Sequence, residues 1–72
     1  MTPSEAASRV RRGQGPHGID RIDHPHVPGD QWHAHLAPGE GSPAVNQDGT
    51  WRHPNGLNKT QREFLRSAGW NV

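Results

Sequence analysis

The sequence predicts a small α+β domain: an antiparallel sheet of three to four short strands with a C-terminal helix packed on one face. Three observations predict it. Residues 31–37 (QWHAHLA) alternate apolar and polar with the period of a half-buried strand. An Asp48-Gly49 pair sits between two short β-compatible runs, the strongest local hairpin signal. Residues 58–70 (NKTQREFLRSAGW) carry an N-cap, a helical body and a glycine stop in the right order.

The N-terminal residues 2–12 (TPSEAASRVRR) also have helix-start grammar. Thr2 can cap, Pro3 suits the first helical position, and Glu5 completes a capping box. Their apolar face is only Ala6, Ala7 and Val10, so residues 1–16 read as a linker or leader remnant that could hold a short helix. Gly13 is the natural stop, and residues 13–18 (GQGPHG) read as linker. The domain proper is expected over residues 17–72. A first short strand is expected at 19–23 (IDRID), followed by a Pro-interrupted loop at 24–30 (HPHVPGD).

In the strand at 31–37, Trp32, Ala34 and Leu36 point to one side, and Gln31, His33 and His35 to the other. Residues 38–43 read as a turn. A two-residue Asp48-Gly49 turn would pair Gln47 with Thr50, Asn46 with Trp51, Val45 with Arg52 and Ala44 with His53. Residues 53–56 (HPNG) form another loop. A helix over 59–68 follows, with Asn58 as N-cap and Gln61 closing a box-like pattern. Gly69 suits the left-handed position after the helix. Trp70 can then pack back on Leu65 in a Schellman arrangement.

Composition limits what such a domain can be. With 28% hydrophobic residues among 72, the core is thin. Trp32, Leu36, Val45, Trp51, Leu57, Phe64, Leu65 and Trp70 are nearly all of its large members. The chain has no cysteine, which removes disulfides and thiolate metal sites. No apolar run reaches the length of a membrane-spanning helix, and no signal peptide is recognisable, so no membrane partner is expected. Nothing in the pattern calls for an obligate homo-oligomer.

Six histidines carry the chemistry: His17, His24, His26, His33, His35 and His53. On a strand, i and i+2 side chains leave the same face about 6–7 Å apart. His33 and His35 therefore suit three readings. One is a base and acid pair flanking a scissile bond. Another is two ligands of a metal ion, with a third from His24, His26 or Asp23. The plainest is two solvated residues on the wet face of a sheet. The metal reading lacks HExxH and thiolates, and a ββα-metal nuclease would need ligands on the last helix, which has neither His nor Asp.

Cleavage of RNA by its own 2′-OH needs a base, an acid and a cation near the phosphorane. His33 and His35 can supply the first two, and Arg52, Arg21 or Lys59 the third. Trp51 can stack an unpaired base or fill the core. The Lys59, Arg62 and Arg66 face can touch phosphates or simply be solvated, and Arg9, Arg11 and Arg12 have the same two readings.

Taken together, IDRIDHPHVPGDQWHAHL, AVNQDGTWRH and LNKTQREFLRSAGW resemble the short toxin modules at the C-termini of bacterial polymorphic toxins of the Rhs and contact-dependent inhibition types. The resemblance covers residues 17–72. It implies a nuclease, commonly a ribonuclease, delivered by a larger effector, acting in the target-cell cytoplasm and neutralised by a cognate immunity protein. It makes His33 and His35 the active-site candidates, with Arg52 and His53 behind them. Arg21, His26, Trp51, Lys59 and Arg62 are the candidate RNA contacts, and no metal or cofactor is required. No carboxylate is spaced to orient the histidines, and no lysine lies within the strands. The alternatives are a metal-dependent nuclease using His33, His35 and a loop ligand, and a non-catalytic module that binds protein or nucleic acid.

Overall fold

A computed structural model describes residues 1–39, 41–52 and 56–72. Its elements run α1 (Pro3–Arg11), β1 (Arg21–Asp23), β2 (His33–His35), β3 (Ala44–Asn46) and α2 (Lys59–Ser67). The strands form one antiparallel sheet in the order β1-β2-β3. The fold is thus the expected α+β architecture, with a helix at each end of the chain.

Both helices start as their sequences dictate. Thr2 accepts from the Glu5 backbone N–H while the Glu5 carboxylate accepts from that of Thr2, and Asn58 and Gln61 exchange the same pair. At the end of α2 the Trp70 N–H donates to the Leu65 carbonyl and the Gly69 N–H to that of Arg66, with Gly69 at φ 98°. That is the Schellman pair. It turns the chain so that the buried Trp70 ring lies under the sheet, its indole N–H donating to the Val45 carbonyl at 3.2 Å.

The short helix that residues 1–16 could hold is present as α1, and it packs in the core of the domain where the sequence suggested a linker remnant. Ala6 and Val10 are buried with Ile22, Ala34, Val45, Leu65, Ala68 and Trp70, and the Met1 amino group donates to the Ser67 carbonyl at the end of α2. Small residues let the helix approach the sheet closely, so a weak apolar face still packs. Of the large residues expected in the core, Val45, Leu65 and Trp70 are buried. Trp32, Leu36, Trp51, Leu57 and Phe64 are half-buried against its margin.

The hairpin departs from the expected register by one residue. Val45 bridges Trp51, the Asn46 N–H donates to the Thr50 carbonyl, and the Arg52 N–H donates to that of Ala44. The Gly49 N–H closes a turn on Asn46, with Gly49 at φ 94°. A three-residue loop ending in a left-handed glycine replaces the two-residue turn. Because side chains alternate, a one-residue shift exchanges faces. Trp51 joins Val45 on the core face, and Arg52 moves to the histidine face. The expected Ala44–His53 pair and the loop at 53–56 fall partly or wholly outside the described residues, as does Glu40 of the turn at 38–43.

Candidate functional site: a histidine cleft on the sheet

Strand register builds the site. Arg21 pairs with His35 and Asp23 with His33 across β1 and β2, while Asn46 and Ala44 oppose His33 and His35 across β2 and β3. Alternation puts Arg21, Asp23, His33, His35, Asn46 and Arg52 on one face, away from Ile22, Ala34 and Val45.

That face is not the open, wet surface that strand alternation alone suggests. His33 is only 2% exposed. The loop at 24–32 folds back across it. Asp30 accepts from the His26 and Gln31 backbone N–H groups and pairs with Arg52. The Gln31 side chain exchanges two hydrogen bonds with Asp48, and the Gln47 N–H donates to the Trp32 carbonyl. These bonds clamp the loop to the β3 hairpin. The backbone donors, with Arg52 behind them, hold the Asp30 carboxyl down at about 2.

The two imidazoles are fixed from behind. His33 Nδ1 lies 2.9 Å from the Gln31 carbonyl oxygen, and His35 Nδ1 3.0 Å from Ser42 Oγ. A carbonyl only accepts, so His33 carries its proton on Nδ1 and turns Nε2 forward. Both Nε2 atoms face the same Asp23 oxygen, at 3.7 Å from His33 and 3.5 Å from His35. These separations exceed a normal hydrogen bond. The rings meet edge-on with centroids 5.1 Å apart. Asp23 Oδ2 also accepts from Arg21 Nε at 3.1 Å.

Burial, then the charge of Arg21, lowers the His35 pKa below its ordinary 6.5, against the upward pull of Asp23. A cleft of about 370 Å³ opens over the group, with Arg21, Asp23, His26, His33, His35 and Arg52 among its walls. His24 and His26 continue the row of rings: His26 lies 5.6 Å from His33 and His24 5.4 Å from His26.

The structure therefore brings five of the sequence candidates together: His33, His35, Arg52, Arg21 and His26. Trp51 and Arg62 line a separate pocket with Leu57 and Val72. Lys59 is exposed and pairs with Glu63 at 3.9 Å. His53 lies outside the described residues. Two participants escaped sequence reasoning. Ser42 gave no signal. Asp23 was visible only as a possible metal ligand, because its place beside His33 depends on the pairing of β1 with β2 and on no spacing within the chain. No family model matches this sequence, and neither curated proteins nor solved structures provide a match to it.

Proposed function

We propose that the cleft cleaves RNA without a metal ion, using His35 as general base and His33 as general acid. The observation that carries this reading is the convergence of two imidazole Nε2 atoms on one carboxylate in a cleft walled by two anchored arginines. His35, biased by burial toward its neutral form, takes the proton of the 2′-OH. The oxygen attacks the adjacent phosphorus, and the His35 cation so formed lies 3.5 Å from Asp23. As general acid, His33 keeps its Nδ1–H on Gln31 and delivers a proton from Nε2 to the departing 5′-oxygen. The products are a 2′,3′-cyclic phosphate and a 5′-hydroxyl.

Arg52 is held by Asn46 and Asp30, and Arg21 by Asp23 and Asp20. Fixed cations of this kind stabilise a phosphorane without reorganising. The basic α2 face and Trp51 are not needed for the chemistry and could at most extend contact with RNA beyond the cleft. The toxin role, delivery by a larger effector and neutralisation by an immunity protein rest on the sequence resemblance. A small acidic protein encoded next to this chain that binds it and blocks cleavage would support them.

The test is incubation of the purified chain with total RNA in EDTA, beside His35→Gln. Cleavage should survive EDTA and fall by about 10²–10⁴-fold in the variant. Activity lost in EDTA and restored by zinc or magnesium would replace this reading with a metal-dependent nuclease. Unchanged activity in His35→Gln would remove the site assignment.

A further inference from the structure

The geometry points to Asp23, His33 and His35 as a binding site for zinc or a similar divalent transition metal, one that competes with the use of the same imidazoles in catalysis. The site assignment stands on the donor atoms alone. The competition rests on the ribonuclease reading.

One ligand atom from each of the three residues lies within 4.8 Å of the other two. A zinc ion about 2.0–2.2 Å from each ligand, at tetrahedral angles, sets neighbouring ligand atoms about 3.3–3.6 Å apart. The Asp23–His35 and Asp23–His33 separations of 3.5 and 3.7 Å are close to that edge. They are too long for good hydrogen bonds, so the three groups face a common point without satisfying one another. Among the described residues, this is the one group of three or more His and carboxylate side chains with that convergence.

The surroundings match what metal-binding histidines use. Each ligating imidazole ordinarily fixes its rear nitrogen on a carbonyl, hydroxyl or carboxylate, which presents the front lone pair to the ion. Gln31 O does this for His33, and Ser42 Oγ stands in the same place for His35. With His33 protonated on Nδ1, its neutral form aims a lone pair at a carboxylate oxygen, an arrangement that either a proton or a cation relieves. Arg21 hydrogen-bonds Asp23 Oδ2 and leaves that carboxylate further lone pairs for an ion. Two imidazoles and one carboxylate leave at least one coordination position for water or a phosphate oxygen. Late divalent ions such as zinc suit this donor set better than magnesium.

Charge sets the strength. One carboxylate, with the Arg21 and Arg52 cations nearby to repel a second positive charge, makes the site a modest one. An ion held modestly would act as a reversible brake. A metal on both Nε2 atoms removes the base and the acid together.

Zinc chloride is the probe, titrated calorimetrically into the intact chain, with thermal melting alongside. The expected result is one zinc per chain and a raised melting temperature. Binding should weaken by at least about tenfold in Asp23→Asn and in His35→Gln, and remain unchanged in His24→Gln. Circular dichroism checks that each variant is folded, and either one alone decides the assignment. No saturable binding would overturn the site, and equal binding by folded Asp23→Asn or His35→Gln would overturn it and leave other histidines as the zinc ligands. Zinc should also suppress RNA cleavage, with EDTA restoring it. Acceleration by zinc would overturn the competition while leaving the metal site intact. A chain that binds zinc as described but cleaves no RNA would remove the catalytic reading alone.

Discussion

His35 sits where its charge matters most: burial and Arg21 oppose its protonation, and Asp23 lies 3.5 Å away to receive the cation when it forms. As the proposed general base, His35 must be neutral to act, so the acidic limb of the pH–rate profile should have its midpoint below 6.5, the ordinary imidazole value. Single-turnover cleavage between pH 4.5 and 8 checks this, and a limb above 6.5 would move the base elsewhere. The pairing of His33 with His35 was legible in the sequence because i and i+2 share a face on any strand. The role of Asp23 was not, since it comes from strands ten or more positions apart in the chain. Nor was the burial of His33, because a loop rich in proline and glycine gives no local sign that it will close over a sheet. Asp30 is the residue that closes it, through two backbone N–H groups and Arg52.

The hairpin is the element on which the site turns. Asp48-Gly49 announced it, but the sequence signal is shared by two-residue and three-residue turns, and only packing chooses between them. The longer turn lets Trp51 join Val45 over the core, and that same choice delivers Arg52 to the histidines. Gly49 is held at φ 94°, and a Cβ there would collide with the Asn71 carbonyl oxygen. Gly49→Ala should therefore cost about 1–3 kcal/mol or more, from backbone strain and the displaced C-terminus. Chemical denaturation measures it, and a change below about 0.5 kcal/mol would mean that the turn has another geometry. Cleavage should fall more than stability alone explains, because Arg52 shifts with the turn. The helices were the most legible elements: caps and stops are written locally, and both capping boxes form as the residues dictate.

For the whole molecule, stability and function draw on the same few contacts. The radius of gyration of 10.8 Å matches the roughly 11 Å expected of a compact chain of this length, so α1 is part of the body of the domain. Its inclusion was the least legible feature of the fold, because an apolar face of only Ala6, Ala7 and Val10 is a weak amphipathic signal, yet Ala6 and Val10 are buried. Acid should undo the fold in two stages. His35 is held below 6.5 in the folded state, so the unfolded chain binds its proton first, and stability falls as pH drops below 6.5. Asp30, held at about 2, contributes stability that is whole above its ordinary 3.8 and is lost as pH falls from there toward 2. Asp48 and Glu5 are lowered too and act in the same direction. Melting temperatures from pH 8 to 3 should decline below 6.5 and again below about 4. A profile flat from 7 to 4.5 would contradict the environment of His35. The most direct measurement of the central claim uses a defined oligoribonucleotide in EDTA, with the ends of its fragments identified by mass spectrometry. Paired imidazole chemistry predicts a 2′,3′-cyclic phosphate facing a 5′-hydroxyl, and no cut where the 2′-OH is replaced by hydrogen. An intact oligonucleotide, or cleavage that ignores the missing 2′-OH, would contradict it.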